Sequence, residues 1–158
     1  MWANFARVAH GAALIVDERH DDALEVLETA LDHMRARRLF AVLEGTALAL
    51  VARSAAALDD RDRAVAAADE AVRVSDSHER LFSQPWAYLA RAHVTRRFDG
   101  PIDRVFEDLD AAERVIATTG QLAHRPFVHL ERGETERASE LFRAMGATRR
   151  AAALHAVG

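Results

Sequence analysis

The sequence of 158 residues contains no cysteine and no lysine, and its 21 permanently basic residues are all arginines. Without cysteine the chain has no disulfide bond, no thiolate nucleophile and no cysteine-ligated metal. Without lysine it has no phosphate-binding loop of the P-loop type and no Schiff base. These two absences exclude several large classes of enzyme before any motif is considered.

Proline, glycine and aromatic residues are also scarce, with three prolines, seven glycines and 6% aromatics. This is a poor composition for a β-sandwich, in which turn residues recur at short intervals. Alanine, by contrast, is by far the commonest residue. It has the highest helix propensity, and its small side chain lets helix axes approach closely. The composition therefore predicts an all-α protein, and the length is enough for one domain with a core.

The charge balance is acidic, with a net charge of −4 at pH 7. Proteins that bind nucleic acids usually carry a basic excess that neutralises phosphates, so a nucleic-acid partner is not expected. The longest apolar stretch is rich in alanine and contains Glu44 and Arg53, which argues against a membrane span. The N-terminus lacks the pattern of a signal peptide. Together with the missing cysteines, these features lead us to expect a cytoplasmic protein.

Hydrophobic periodicity predicts a series of helices. In the second predicted helix, apolar residues recur at spacings of four and three positions, as in Ala23, Leu27 and Ala30. This is the period of one helix face. The same reading along the chain predicts one domain over residues 1–158 made of four helical pairs. The predicted pairs cover 2–37, 39–74, 78–118 and 126–145, and a short terminal helix follows over 147–157.

Every second predicted helix repeats the spacing of a small residue, a larger residue four positions later and a small residue three positions further on. The first residues of these triplets are separated by steps of 41, 41 and 33 positions. A repeat of fixed period in this range is typical of helical solenoids. The four anchor residues are Ala23, Ala64, Val105 and Ala138.

This pattern resembles the tetratricopeptide repeat, in which the first helix of a pair carries a small residue at a fixed distance from the anchor of the second. Gly11 and Ala52 each stand twelve positions before an anchor, and Ala90 is the matching residue of the third pair. The resemblance implies a right-handed superhelix of antiparallel helical hairpins that binds other proteins along its inner wall. The period exceeds the usual 34 residues of that family, and the fourth pair is truncated.

Two stretches near the C-terminus, over residues 125–131 and 140–147, resemble the last repeats of large bacterial signalling proteins. These include LuxR-type and SARP-type transcription regulators and class III nucleotide cyclases that carry an AAA-type ATPase module. The ATPase, cyclase and helix-turn-helix motifs of those proteins are missing from this sequence. The resemblance therefore implies a regulatory or sensor segment without their catalytic activity.

The inner wall of such a superhelix is lined by the first helix of each pair. The family's inner-face positions place Arg53 and Arg91 at equivalent points of adjacent repeats, where two guanidinium groups could clamp a carboxylate. The alternative is that both arginines pair with acids such as Glu44 or Glu79 and only solvate the groove. The predicted groove residues are Phe5, Val8, Ile15, Thr46, Arg53, Gln84, Arg91 and Val94.

No pattern in the sequence indicates a metal site, a cofactor or a catalytic residue. None of the eight histidines belongs to an H-E-x-x-H motif, and His124 and His129 are too far apart in sequence to share a helix face. The acidic run at Asp59 and Asp60 lacks the glycine and the distal glutamate of a calcium loop, so helix capping explains it better.

The sequence therefore predicts a non-catalytic protein–protein interaction or scaffold module, used in bacterial signalling or transcription regulation. The alternative is a pocket in the same groove that senses a small molecule or a peptide. The expected partner is an unidentified protein or peptide. The apolar residues Trp2 and Phe5 at the N-terminal end favour self-association or further repeats upstream, unless Trp2 folds back onto the second helix.

Overall fold

The computed structural model describes residues 2–37, 41–77 and 81–154. Within these ranges the chain forms nine α-helices and one short 3-10 turn, Leu122–His124, and contains no strand. The predicted all-α fold is confirmed. The helices are α1 (Trp2–Val16), α2 (His20–Arg37), α3 (Ala41–Ala57), α4 (Arg61–Ser77), α5 (Gln84–Arg97), α6 (Ile102–Thr119), α7 (Arg125–Glu131), α8 (Thr135–Ala144) and α9 (Thr148–Ala153).

Consecutive helices pack as hairpins, α1 with α2, α3 with α4, α5 with α6 and α7 with α8. The first helix of each hairpin also contacts the first helix of the next, so that α1, α3, α5 and α7 form one continuous layer. The second helices α2, α4 and α6 each contact the first helix that follows them in sequence. The short helix α9 packs on α8. The structure is therefore an array of stacked helical hairpins, as the periodicity predicted.

The turn inside each hairpin has the same backbone geometry. Glu18, Asp59 and Asp99 have φ angles of 59°, 59° and 54°, and Gly133 has a φ of 80°. In each turn the next residue's N–H donates to a carbonyl five positions back, with N to O distances of 2.8 to 2.9 Å. This is the Schellman ending, in which a left-handed residue stops the helix. Its recurrence in four hairpins shows the repeat in the backbone itself.

The small residues at the repeated positions are buried where the helices meet. Ala64, Ala68 and Ala71 of α4 are at most 1% exposed, and the anchors of the other second helices are fully buried. Gly11 lies so close to Leu27 that an added β-carbon would stand 2.6 Å from its side chain. These close contacts explain why the sequence needs small residues at these places.

Helix α3 is enclosed by α1, α2, α4 and α5. From Leu43 to Ala56 every side chain is buried except those of Glu44 and Arg53, which are partly exposed. This confirms that the long apolar stretch is a helix covered by its neighbours. In the part of the chain that the structure describes, no helix combines the length and the apolar character that crossing a bilayer requires.

Several helix bounds differ from the prediction. Helix α5 begins at Gln84 with Pro85 in its first turn, and α4 extends to Ser77. Asp60 caps α4, because its carboxylate accepts a hydrogen bond from the Arg63 N–H at 3.2 Å. Residues 1, 38–40, 78–80 and 155–158 and the side chain of Trp2 lie outside the described residues. The predictions made for Glu79, for Trp2 and for the end of the terminal helix therefore fall outside them as well.

Candidate binding groove

An open groove of about 650 Å³ runs along the layer of first helices. Its lining comes from α1, α3, α5 and α7, from the start of α2, and from α9. The groove exists because the hairpins stack with their first helices on one side and α9 then returns across that side. The lining residues are Ala12, Ile15, Val16, Glu18, His20, Leu50, Arg53, Trp86, Phe127, Arg149, Arg150 and Ala153.

Aromatic rings build one wall of this groove. Trp86 of α5 contacts the His124 ring edge-on at 4.9 Å between centroids, and the Phe127 ring at 5.7 Å. Phe127 in turn meets Phe142 of α8 edge-on at 5.4 Å. Burial lowers the pKa of His124, although its hydrogen bond to the Gln121 carbonyl opposes this, so the ring stays neutral at pH 7. These ring contacts hold Trp86 and Phe127 side by side as one apolar surface.

Arg53 is the basic residue of the buried helix α3, and its side chain lines the groove. Its guanidinium lies 3.7 Å from a carboxylate oxygen of Glu131 on α7, and 25% of the side chain is exposed. Burial lowers the pKa of Arg53, and the charge of Glu131 only partly opposes this. The positive charge is thus partly removed from water and weakly compensated.

The same Glu131 oxygen is already engaged by His93 of α5, whose Nδ1 lies 3.0 Å from it. Burial by itself raises the pKa of Glu131, but the hydrogen bond with His93 and the nearby charge of Arg53 hold it below its ordinary value. Glu131 is therefore ionised at neutral pH. One carboxylate serves two basic side chains from neighbouring helices.

Arg150 approaches the groove from α9. Its guanidinium carbon lies 4.7 Å from the ring centroid of Phe127 and 5.3 Å from that of Phe142, a cation–π arrangement. Burial lowers the pKa of Arg150, and the charge of Arg53, which lines the same groove, lowers it further. Neither Arg149 nor Arg150 forms an ion pair with an acid in the described part of the chain.

The structure does not bring Arg53 and Arg91 together in one groove. Arg91 donates to both carboxylate oxygens of Asp108 on α6, at 2.9 and 2.6 Å, and lies 3.8 Å from Asp69 on α4. The hydrogen bond to Asp108 raises the pKa of Arg91. It lines a separate cavity of about 110 Å³ between α4, α5 and α6. A clamp built from Arg53 and Arg91 is therefore not possible in this arrangement.

The two arginines are separated because the predicted alignment of α5 with α3 is wrong by two positions. The predicted alignment paired Arg53 with Arg91, whereas His93 is the residue of α5 that approaches Glu131 together with Arg53. Two positions on an α-helix are separated by about 200° around its axis. Arg91 consequently points to the opposite side of α5 from the groove. As in the alternative interpretation, both arginines have an acidic neighbour, which is Glu131 for Arg53 and Asp108 for Arg91. Glu44 accepts a hydrogen bond from Arg35 instead.

Of the eight predicted groove residues, Ile15 and Arg53 line the groove. Val8 and Val94 belong to the core, and Thr46 is buried with no hydrogen-bond partner for its hydroxyl. Phe5 is 52% exposed but outside the lining. Gln84 donates to Asp76 at 3.2 Å at another part of the surface.

Sequence reasoning missed the aromatic wall and the arginines of α9. One signal was available for the inner layer, since one residue of each first helix recurs at steps of 38, 40 and 38 positions. Helix α9 belongs to no hairpin, so no periodic signal pointed to Arg149 and Arg150. The recurring row consists of Ile15, Arg53, His93 and Glu131.

Among the described residues no group of three or more His, Asp or Glu side chains is placed to hold a metal ion. His129, one of the histidines considered above, instead lies 2.5 Å from a carboxylate oxygen of Glu134. The groove thus offers apolar surface, aromatic rings and guanidinium groups. Groups of these kinds are the ones that line ligand sites in proteins.

No protein-family model, no curated protein and no solved structure matches this chain. The stacked-hairpin architecture therefore stands on the structure itself. Membership of the tetratricopeptide family, and the narrower likeness to bacterial signalling proteins, stay predictions from the sequence.

Proposed function

We propose that the chain is a non-catalytic binding module that holds a segment of a partner protein in the groove between the first helices and α9. The observation that carries this proposal is the composition of the groove wall. Trp86 and Phe127 stand beside Arg53 and Arg150 in a cavity of about 650 Å³. Tryptophan, tyrosine and arginine are the side chains most enriched at the energetic centres of protein interfaces, and large rings supply much of the contact area.

The stacking of the hairpins supports the same function. Because each first helix packs against the next, the groove wall is rigid, and a rigid site loses little conformational entropy on binding. The resemblance to tetratricopeptide repeats adds support for protein binding. The narrower resemblance supports a place in a bacterial signalling or transcription-regulatory protein that works in the cytoplasm.

A second candidate is a sensor of a small molecule. The volume of about 650 Å³ falls in the range of ligand pockets, and the lining combines apolar and aromatic side chains with a few charged groups, as is usual for small-molecule sites. The two candidates share one site and differ in whether the ligand extends out of it.

Selection of short random peptides displayed on phage against the whole chain tests the first candidate. Selected peptides are then measured by fluorescence polarisation against Ala12→Phe, which places a ring in the groove. Ala13→Phe is the matched control, because Ala13 is the exposed neighbour on the same helix and does not line the groove. We expect at least a tenfold loss of affinity for Ala12→Phe and no change for Ala13→Phe, with circular dichroism confirming that both fold.

Failure to select any peptide, or equal binding by both variants, would contradict peptide binding in this groove. A panel of metabolites in a thermal unfolding assay then examines the second candidate. A rise in Tm that Ala12→Phe abolishes favours the small-molecule sensor, because a ligand stabilises the state that it binds.

A further inference from the structure

We propose that the groove contains an anion subsite formed by Arg53 of α3 and Arg150 of α9. This subsite takes the carboxylate of a ligand whose apolar part lies on Trp86 and Phe127. The inference rests on the proposed function, since it specifies the ligand of the same groove. It does not depend on whether that ligand is a peptide or a free acid.

The first observation is the unused hydrogen-bonding capacity of Arg53. A guanidinium carries five N–H donors. The acid nearest to Arg53, Glu131, lies 3.7 Å away, and its oxygen is closer to His93 at 3.0 Å. Within the described part of the chain, the Arg53 guanidinium donates no hydrogen bond to another side chain. Its donors are therefore available to a bidentate acceptor at the groove surface.

The second observation is the way in which Arg150 is held. Its guanidinium lies in cation–π contact with the rings of Phe127 and Phe142 and forms no ion pair with an acid in the described part of the chain. Arg150 and Arg53 line the same groove, where their like charges repel each other. Two arginines that remain charged at neutral pH in one groove form a site that an anion stabilises.

The third observation is the charge balance of the groove. The lining contains three arginines, Arg53, Arg149 and Arg150, and one acid, Glu18, while Glu131 stands behind Arg53. Three positive and two negative charges leave one positive charge unbalanced, although the whole chain carries −4. A ligand with one negative charge restores neutrality. Because the remaining walls are apolar and aromatic, the favoured ligand is a carboxylate on an apolar body.

Two pairs of matched probes test this subsite on the wild-type chain. The first pair is 4-phenylbutyrate and its neutral amide. The second is a peptide selected for groove binding that carries an acidic residue or a terminal carboxylate, compared with the corresponding amide. We expect at least tenfold tighter binding of the acid in isothermal titration, since hydrogen bonds to charged groups are the stronger ones. Preference in the peptide pair alone assigns the carboxylate to a polypeptide, and preference in the phenylbutyrate pair extends it to free acids.

Variants locate the preference. Arg53→Gln and Arg150→Gln are each expected to weaken acid binding about tenfold and to leave amide binding unchanged. Arg114→Gln, on the exposed face of α6 outside the groove, is the matched control and should change neither. Circular dichroism verifies folding. If a variant does not fold, the comparison of acid with amide on the wild type still decides.

Equal affinity for acid and amide would overturn the inference while leaving the proposed binding function intact. A preference for the acid that survives both substitutions would also overturn it. Absence of binding by every peptide, acidic or neutral, is the separate result that contradicts the proposed function itself.

Discussion

Arg53 and Arg91 stand on adjacent first helices and are similarly buried, with 25% and 21% of their side chains exposed, but their surroundings differ. Arg91 donates two short hydrogen bonds to Asp108 and has Asp69 nearby. Arg53 has one carboxylate at 3.7 Å, which it shares with His93. Burial therefore does not decide the role of an arginine. A compensated charge holds helices together, whereas a weakly compensated one is free to bind a ligand.

The largest expected effect comes from breaking the compensated site. Asp108→Asn leaves Arg91 charged and partly buried without its partner, and breaking a buried pair in this way is strongly destabilising. We expect the free energy of unfolding to fall by about 3 kcal/mol, measured by urea denaturation. Asp110→Asn is the control, because its pair with Arg132 is exposed and its loss should cost less than about 1 kcal/mol. Equal effects of the two substitutions would contradict the comparison.

Replacing each of the two arginines by glutamine gives the next largest effect. Arg91→Gln should lower the free energy of unfolding by about 2 kcal/mol, because Asp108 is 3% exposed and loses its counter-charge. Arg53→Gln should change it by less than about 1 kcal/mol in either direction, because it removes a charge that is poorly compensated. Urea denaturation of both variants under one set of conditions measures the difference. An Arg53→Gln variant as unstable as Arg91→Gln would mean that Arg53 is structural.

The pH dependence of stability tests whether ionised Glu131 stabilises the fold. Its pKa lies below the ordinary value of 4.5 in the folded chain, so its ionised form stabilises the fold. This contribution is fully present above about pH 4.5 and is lost as the pH falls through the lower folded pKa. The stability difference between wild type and Glu131→Gln, of about 1 kcal/mol at pH 7, should therefore shrink on acidification. A difference that grows below pH 4.5 would contradict this.

The smallest effect is spectroscopic and concerns Tyr88, which is on the same helix as Arg91. Tyr88 is the only tyrosine of the chain. Burial, together with the hydrogen bond that its hydroxyl donates to Asp76 at 2.8 Å, raises its pKa to about 12. Absorbance at the tyrosinate band should therefore show a midpoint near 12, and Asp76→Asn should lower it. A midpoint at the ordinary value of 10.0 would show that Tyr88 is solvated.

The hairpins could be predicted from the sequence because their signal is local. The triplet that begins at Ala64 reports the buried face of α4, and the run around Ala52 reports a helix covered on all sides. Even so, Glu18 and Asp59 gave no turn signal of the usual kind, because non-glycine residues rarely adopt a positive φ. The third hairpin turn is marked in the sequence by Gly100 and Pro101 after Asp99, and the fourth by Gly133.

The groove could be predicted only in part. Ile15 and Arg53 follow from the inner-face positions of the first two hairpins. The third hairpin is offset by two positions, and that offset depends on where α5 begins after the connection from α4. The placement of Arg150 over Phe127 depends on the return of α9 across the layer of first helices. Neither feature is encoded in a period, because both result from tertiary packing.

Helix α9 has six residues and is anchored mainly through buried Ala151 and the hydrogen bond of Ser139 to its backbone. An acid held by both Arg53 and Arg150 would join this short helix to the central helix of the array. By thermodynamic linkage, any change that seats α9 more firmly raises the affinity, and occupancy in turn slows exchange of the α9 amide protons with solvent. Exchange at α9 would then report whether the groove is filled.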